Sequence, residues 1–241
     1  MQTIIAESYE EASRIGAYMI REQLNRKADS VLGFATGGTP EGLYAELVRA
    51  YKAGEVDFSR ASSFNMDEYY PIKKSNSQSY DYFMREHLIN HINMPPEQFH
   101  IPNGEAEDPE AECVAYDRAI LRAGRVDLFL CGLGVNGHVA FNEPGDFLHA
   151  GTHMETLTDS TIEANARFFA RAEDVPRKAL TIGLGTLLKS RRLLLLGIGR
   201  GKAEAIRTLY SGKVTTEYPI SFLQLHPDVT VILDKEAAAL I

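Results

Sequence analysis

VLGFATGGTP, from Val31 to Pro40, holds an apolar run, a two-glycine turn and a helix start in ten consecutive residues. A short β-rich apolar stretch bounded by glycine suits a strand buried on both faces. Thr39 is a good N-cap and Pro40 suits a first helical position, so the spacing predicts a helix over Pro40 to Lys52, with Leu43, Leu47 and Val48 on one side. The same grammar recurs along the chain. Further strand-like runs occur at Ala61 to Met66, Val126 to Cys131, Leu193 to Ile198 and Val229 to Leu233. Between them, helical patterns occupy Glu10 to Asn25, Ser79 to Ile92, Pro109 to Ala123, Val175 to Leu188 and Lys202 to Leu209. Strands alternating with helices predict an α/β fold, an open, mainly parallel sheet with helices on both faces. No repeat, low-complexity tract or linker divides the chain, so residues 1–241 read as a single domain.

Composition narrows the function. Hydrophobic residues make up 44% and charged residues 24% of the chain, which is globular rather than disordered or fibrous. The formal charge of −8 disfavours a nucleic-acid surface, so any phosphate must be held by a few placed cations and backbone N–H groups. Cys113 and Cys131 fit no thiolate cage or disulfide framework and read as reduced thiols of a cytoplasmic protein. The opening residues lack the basic region and apolar run of a signal peptide, and no apolar stretch is long enough for a membrane span.

In open α/β sheets, ligands bind beyond the C-terminal ends of the strands, so the turns there are the places to look for chemistry. Gly37 and Gly38 let backbone approach a ligand, and the following helix start offers N–H groups to an anion. No Gly-Lys-Ser/Thr follows, so this is not a Walker loop, and a ligand-free tight turn has the same appearance. Asp67, in Asn65-Met66-Asp67-Glu68-Tyr69, lies where a partly desolvated carboxylate serves as a general base; a helix cap is the alternative. Gly132, Gly134 and Gly137 formally spell GxGxxG, a dinucleotide fingerprint. The continuation His138-Val139-Ala140-Phe141-Asn142-Glu143-Pro144 argues against it, because Pro144 interrupts a long helix. His138 and Glu143 instead suit a proton-transfer pair. Lys202, after Gly199-Arg200-Gly201, and Arg167 are candidate phosphate cations or solvated surface charges. His87 and His91 have the spacing of a helical zinc pair but lack the glutamate of HExxH. His149 to Asp174, with its weak core pattern between these turns, reads as a lid.

TGGTP (Thr36 to Pro40), FNMDEY (Phe64 to Tyr69) and GxNGHxAFNEPG (Gly134 to Gly145), taken in order, closely resemble the glucosamine-6-phosphate deaminase family. So do LTIGLGTLL (Leu180 to Leu188), the GRGKA containing Lys202, and ISFLQLHP (Ile220 to Pro227). The resemblance implies a Rossmann-like fold, a sugar-phosphate substrate and an isomerising deamination, with no metal or redox cofactor. By matching position, it implies that Asp67 moves a proton from C2 to C1 of the sugar. His138 then handles ring opening, supported by Asn136 and Glu143. Gly37, Gly38, Thr39, Arg167 and Lys202 would hold the phosphate. Several family members carry aspartate where this chain has Asn136, which orients a histidine but supplies no negative charge. The chain also ends soon after its last strand, unlike the hexameric members, which implies a monomer or small homo-oligomer.

Overall fold

The computed structural model describes residues 1–241. In chain order the elements are β1 (Gln2–Ala6), α1 (Tyr9–Arg26), β2 (Val31–Phe34), α2 (Glu41–Lys52), β3 (Ser62–Asn65), β4 (Asp67–Tyr70), α3 (Tyr80–His87) and β5 (Phe99–His100). They continue with α4 (Pro109–Arg122), β6 (Leu128–Cys131), β7 (His153–Thr156), α5 (Asp159–Asn165), β8 (Lys178–Thr181), α6 (Leu184–Leu187), β9 (Leu193–Gly197), α7 (Ala203–Leu209) and β10 (Val229–Asp234).

Seven strands form one sheet in the order β1-β10-β9-β6-β2-β3-β5, and every neighbouring pair is parallel. Its central strands β2, β6 and β9 are buried on both faces, and consecutive residues serve opposite cores. Along β9, Leu193 and Leu195 enter the core beneath α4, α6 and α7, whereas Leu194 and Leu196 enter the core beneath α1 and α2. Gly33 of β2 faces Phe129 of β6, and a β-carbon there would lie 2.1 Å from the Phe129 ring. Glycine is therefore what allows an aromatic residue into the centre of the sheet.

The chain leaves β2 toward β3 on one side, and β6 returns to pair on the other. This reversal opens a crevice at the carboxyl ends of β2 and β6, the place where such sheets bind ligands. It brings the Thr36–Pro40 turn beside the turn that begins at Gly132.

The sequence expectations need correction in three places. Thr39 does not cap α2: Pro40 occupies the N-cap with helical φ and ψ, no side chain caps the helix, and helical structure begins at Glu41. Val175 to Leu188 is not a helix; it holds β8 and the one-turn α6, because β8 is needed as the central strand of a second sheet. That sheet, ordered β4-β8-β7 with both pairs antiparallel, is an addition to the open, mainly parallel sheet that the sequence predicts. The Ser79 to Ile92 helix stops at His87, and a 3-10 turn at Ile89–His91 follows. His91 there turns its Nε2 to the Glu86 carbonyl at 2.7 Å, and His87 packs on the Phe83 ring.

The small sheet rests on its own apolar cluster, including Tyr69, Phe141, Leu157, Ile162 and Val175. The expected lid region is thus built of β7, α5 and 3-10 turns at Ala166–Phe168 and Ala172–Asp174.

Candidate active site

A cleft of about 880 Å³ lies at the carboxyl ends of the parallel strands and is lined by Gly37, Gly38, Thr39, Asp67, His138, Arg167 and Lys202. Seven sequence-selected residues therefore share one cavity. Asn136 and Glu143 do not line it; they stand behind His138.

Asp67 is the first residue of β4, one step beyond the parallel sheet. The Met66 N–H bonds the Phe34 carbonyl at 3.0 Å, and Ile182 N–H bonds the Met66 carbonyl at 2.8 Å, so backbone on either side fixes the point of emergence. The Asp67 side chain is buried and accepts no hydrogen bond within the chain. Burial first, and the neighbouring Glu68 charge second, push its carboxyl up to about 8. Glu68 has different partners. Its carboxylate accepts the N–H groups of Tyr69 at 2.9 Å, Tyr80 at 2.8 Å and Asp81 at 2.9 Å, holding the start of α3. Of the two adjacent acids, one is a helix anchor and the other is left free.

His138 enters from the glycine turn after β6. A β-carbon on Gly134 would lie 2.3 Å from the imidazole Cε1, so Gly134 makes room for the ring. Gly137 has φ +84°, and its Cβ position is 2.7 Å from Tyr218; Ala140 follows with φ +52°, a left-handed conformation that is costly for a residue with a side chain. The turn is then locked: Asn142 Nδ2 donates to the carbonyls of Val139 at 2.9 Å and Ile182 at 2.8 Å, and the Phe141 N–H donates to Thr181 Oγ1 at 3.0 Å.

The ring's Nδ1 lies 3.4 Å from Glu143 Oε2 and 3.2 Å from Thr161 Oγ1, while Nε2 has no partner in the chain. Asn136 uses Nδ2 on Glu143 Oε2 at 2.7 Å and Oδ1 on the His138 backbone N–H at 3.2 Å. Burial raises the Glu143 carboxyl, but hydrogen bonds and charge from His138, with further bonds from Thr161 and Asn136, hold it below its ordinary value. Glu143 is therefore an ionised support for the imidazole.

On the far wall, Lys202 follows Gly199, whose N–H bonds the Asp234 carboxylate at 3.1 and 3.0 Å. Arg167 lies in the 3-10 turn after α5, its guanidinium 4.7 Å from the Phe168 ring centre. Burial first, and the Arg167 charge second, lower the Lys202 ammonium to about 8. Neither cation forms an ion pair. The Tyr9 hydroxyl donates to the Gly38 carbonyl at 3.2 Å and accepts the Gly42 N–H at 2.7 Å, securing the glycine turn opposite them.

Sequence reasoning missed Thr158, Thr161 and the aromatic wall. Thr158 caps α5 by accepting the Thr161 N–H at 3.3 Å and donates to Glu143 Oε2 at 3.2 Å. The signal was present: threonine followed by Asp159 in a first turn and Ile162 on the buried side marks a helix start. Tyr69, Tyr80 and Phe141 pack together, with Tyr80 and Phe141 stacked at 6.0 Å, and no local pattern separated them from ordinary core.

A free carboxyl, an imidazole backed by a carboxylate, and two unpaired cations in one cleft are chemically suited to moving protons on an anionic substrate. The model of the family "Glucosamine-6-phosphate isomerases/6-phosphogluconolactonase" matches residues 6–232. The chain is 50% identical over 241 residues to a glucosamine-6-phosphate deaminase of Clostridium perfringens, with all of both chains covered. It is also 50% identical over 241 residues to one of Thermoanaerobacter pseudethanolicus, covering 100% of this chain and 95% of that one. The solved structure of a monomeric glucosamine-6-phosphate deaminase superposes with a TM-score of 0.98 at 43% identity, over 100% of each chain. This chain belongs to the family of glucosamine-6-phosphate isomerases and 6-phosphogluconolactonases.

Proposed function

We propose that the cleft converts glucosamine 6-phosphate and water to fructose 6-phosphate and ammonium. The observation that carries this reading is the presence, in one cavity, of a buried carboxyl without a partner and an imidazole held from behind through Nδ1.

The phosphate is taken by Lys202 and Arg167 together with backbone N–H groups at Gly37, Gly38 and Thr39, and that binding energy orients the sugar. His138, with Nε2 free, accepts the proton of the C1 hydroxyl and delivers one to the ring oxygen, opening the ring. Asp67, once ionised, removes the C2 proton as a proton of the substrate's C2 ammonium passes to the C1 carbonyl oxygen, and it returns its proton to C1 of the resulting enolamine, leaving an iminium at C2. Water adds to that carbon and ammonia leaves as ammonium. A carboxyl raised toward the working pH is a stronger base when ionised, and the substrate's own C2 ammonium favours the ionised form.

The family also contains lactonases, which open an ester and need no carbon acid base. The free, buried Asp67 and the relatives at half identity favour the deaminase. We read the chain further as a monomer or small homo-oligomer of the cytoplasm. Its resemblance to a monomeric deaminase and its two buried free thiols, Cys113 and Cys131, support that reading. No helix is long and apolar enough to cross a membrane.

The test is an assay of ammonium release from glucosamine 6-phosphate, with fructose 6-phosphate followed in parallel. Equal amounts of both products are expected. Hydrolysis of 6-phosphogluconolactone without ammonium release from the amino sugar would replace this reading.

A further inference from the structure

Asn136 stands where several family members have an acid, yet neither of its polar atoms reaches the His138 ring. Its amide nitrogen is committed to Glu143 and Thr158 and its oxygen to a backbone N–H. The Glu143 carboxylate is 3.4 Å from Nδ1. The nearer side-chain atom is the hydroxyl of Thr161, at 3.2 Å, on α5. We propose that Thr161 is a positioning residue: its hydroxyl oxygen meets Nδ1 of His138 beside the Glu143 carboxylate, and as the nearer acceptor it fixes both the plane and the tautomer of the ring. The proposal rests on reading His138 as the proton-transfer group of the deaminase.

One assignment satisfies both contacts at Nδ1. The ionised Glu143 is acceptor only, and at 3.4 Å it calls for a proton on that nitrogen. A threonine hydroxyl carries two lone pairs, and Thr161 Oγ1, at 3.2 Å, offers one of them to the same proton. Nδ1 then carries the proton, shared between the two oxygens, and Nε2 is left with its lone pair toward the cleft, ready to receive the C1 hydroxyl proton. Thr158, 3.2 Å from both Glu143 Oε2 and Thr161 Oγ1, holds the pair from the helix cap. Thr161 is 2% exposed, and its neighbour Ile162 is packed in the small core, so the hydroxyl cannot swing away. The ring is set by a helix that also carries Asn165, bonded to Tyr69 OH at 3.0 Å, and that leads into Arg167. Proton transfer and phosphate capture therefore share one short segment.

The test is the 15N spectrum of the histidine ring in the full chain, above the pH at which the ring is neutral, for the unaltered protein, Thr161→Val and Thr161→Ser. In the unaltered protein and Thr161→Ser, Nδ1 is expected to carry the proton; Thr161→Val, which keeps the shape, is expected to give a mixture of tautomers. Turnover of glucosamine 6-phosphate should fall about three- to tenfold in Thr161→Val with KM within about twofold, and return in Thr161→Ser. Nε2 protonated in the unaltered protein overturns the proposal without any variant. Nitrogen shifts and turnover in Thr161→Val equal to those of the unaltered protein overturn it as well. If the protein releases no ammonium but the tautomer responds as expected, the deaminase reading fails and the role of Thr161 stands.

Discussion

Arg167 and Lys202 reach the same wall of the cleft from distant segments, and burial together with the Arg167 charge lowers the Lys202 ammonium to about 8. Two like charges held together without a counterion cost folding energy, and a bound dianion removes that cost.

Lys202→Ala and Arg167→Ala should each weaken binding of glucosamine 6-phosphate, by on the order of 2 kcal/mol where the contact is direct. The larger loss is expected for Lys202, because Arg167 is more exposed and better screened. Calorimetric titration of the slow variant Asp67→Asn separates binding from turnover; an unchanged Kd would remove that cation from the phosphate site.

Asp67→Asn should lower turnover by ~100-fold or more while the sugar phosphate still binds, since loss of a general base typically has that effect. Steady-state kinetics beside the same titration reads both. Equal turnover in the two proteins would remove Asp67 from the reaction.

The pH dependence follows from two groups that must be in opposite states. Asp67, raised to about 8, has to lose its proton before it can act, so kcat/KM should fall as the pH drops below that value. Lys202, lowered to about 8, has to keep its proton to hold phosphate, so kcat/KM should fall again above it. Substrate phosphate favours the ammonium, and the alkaline limb of kcat should lie higher than that of kcat/KM. A flat kcat/KM between about pH 6 and 9 would contradict both assignments.

Asp67 also sets a stability cost. Its folded carboxyl binds the proton more tightly than the unfolded one, so the folded state holds more protons between the ordinary aspartate value of 3.8 and about 8, and stability declines as pH rises through that window. Asp67→Asn removes the decline. Its Tm at pH 8 should exceed that of the unaltered protein by roughly 2 °C or more. The gap should close toward pH 4, where the carboxyl is largely protonated in the folded state and close to half protonated in the unfolded one. Calorimetric scans at the two pH values check it; a gap independent of pH would point to packing instead.

Much of this molecule is legible in its sequence because the information is local. Val31 to Ala35 or Leu193 to Ile198 leaves little choice but a strand buried on both faces, and glycine at Gly37, Gly134 and Gly137 marks where backbone must bend or make room. The ordered turns that follow the strands also announce Asp67, His138 and the Lys202 turn, since parallel strands deliver their carboxyl ends to one edge.

What the sequence left undecided depends on contacts between distant residues. Val175 to Leu188 reads as a helix from its local apolar spacing, yet β8 exists there because β4 and β7 pair with it from either side. Thr39 is an able cap, but the turn preceding α2 sets Pro40 in helical geometry and leaves the threonine side chain no capping role. Glu68 and Asp67 are chemically alike neighbours, and only the approach of the α3 backbone to one of them leaves the other free. Which atom faces His138 is likewise a matter of how α5 seats on the small core. Chemical type is written along the chain, but burial, proton affinity and hydrogen-bond partner belong to the three-dimensional neighbourhood.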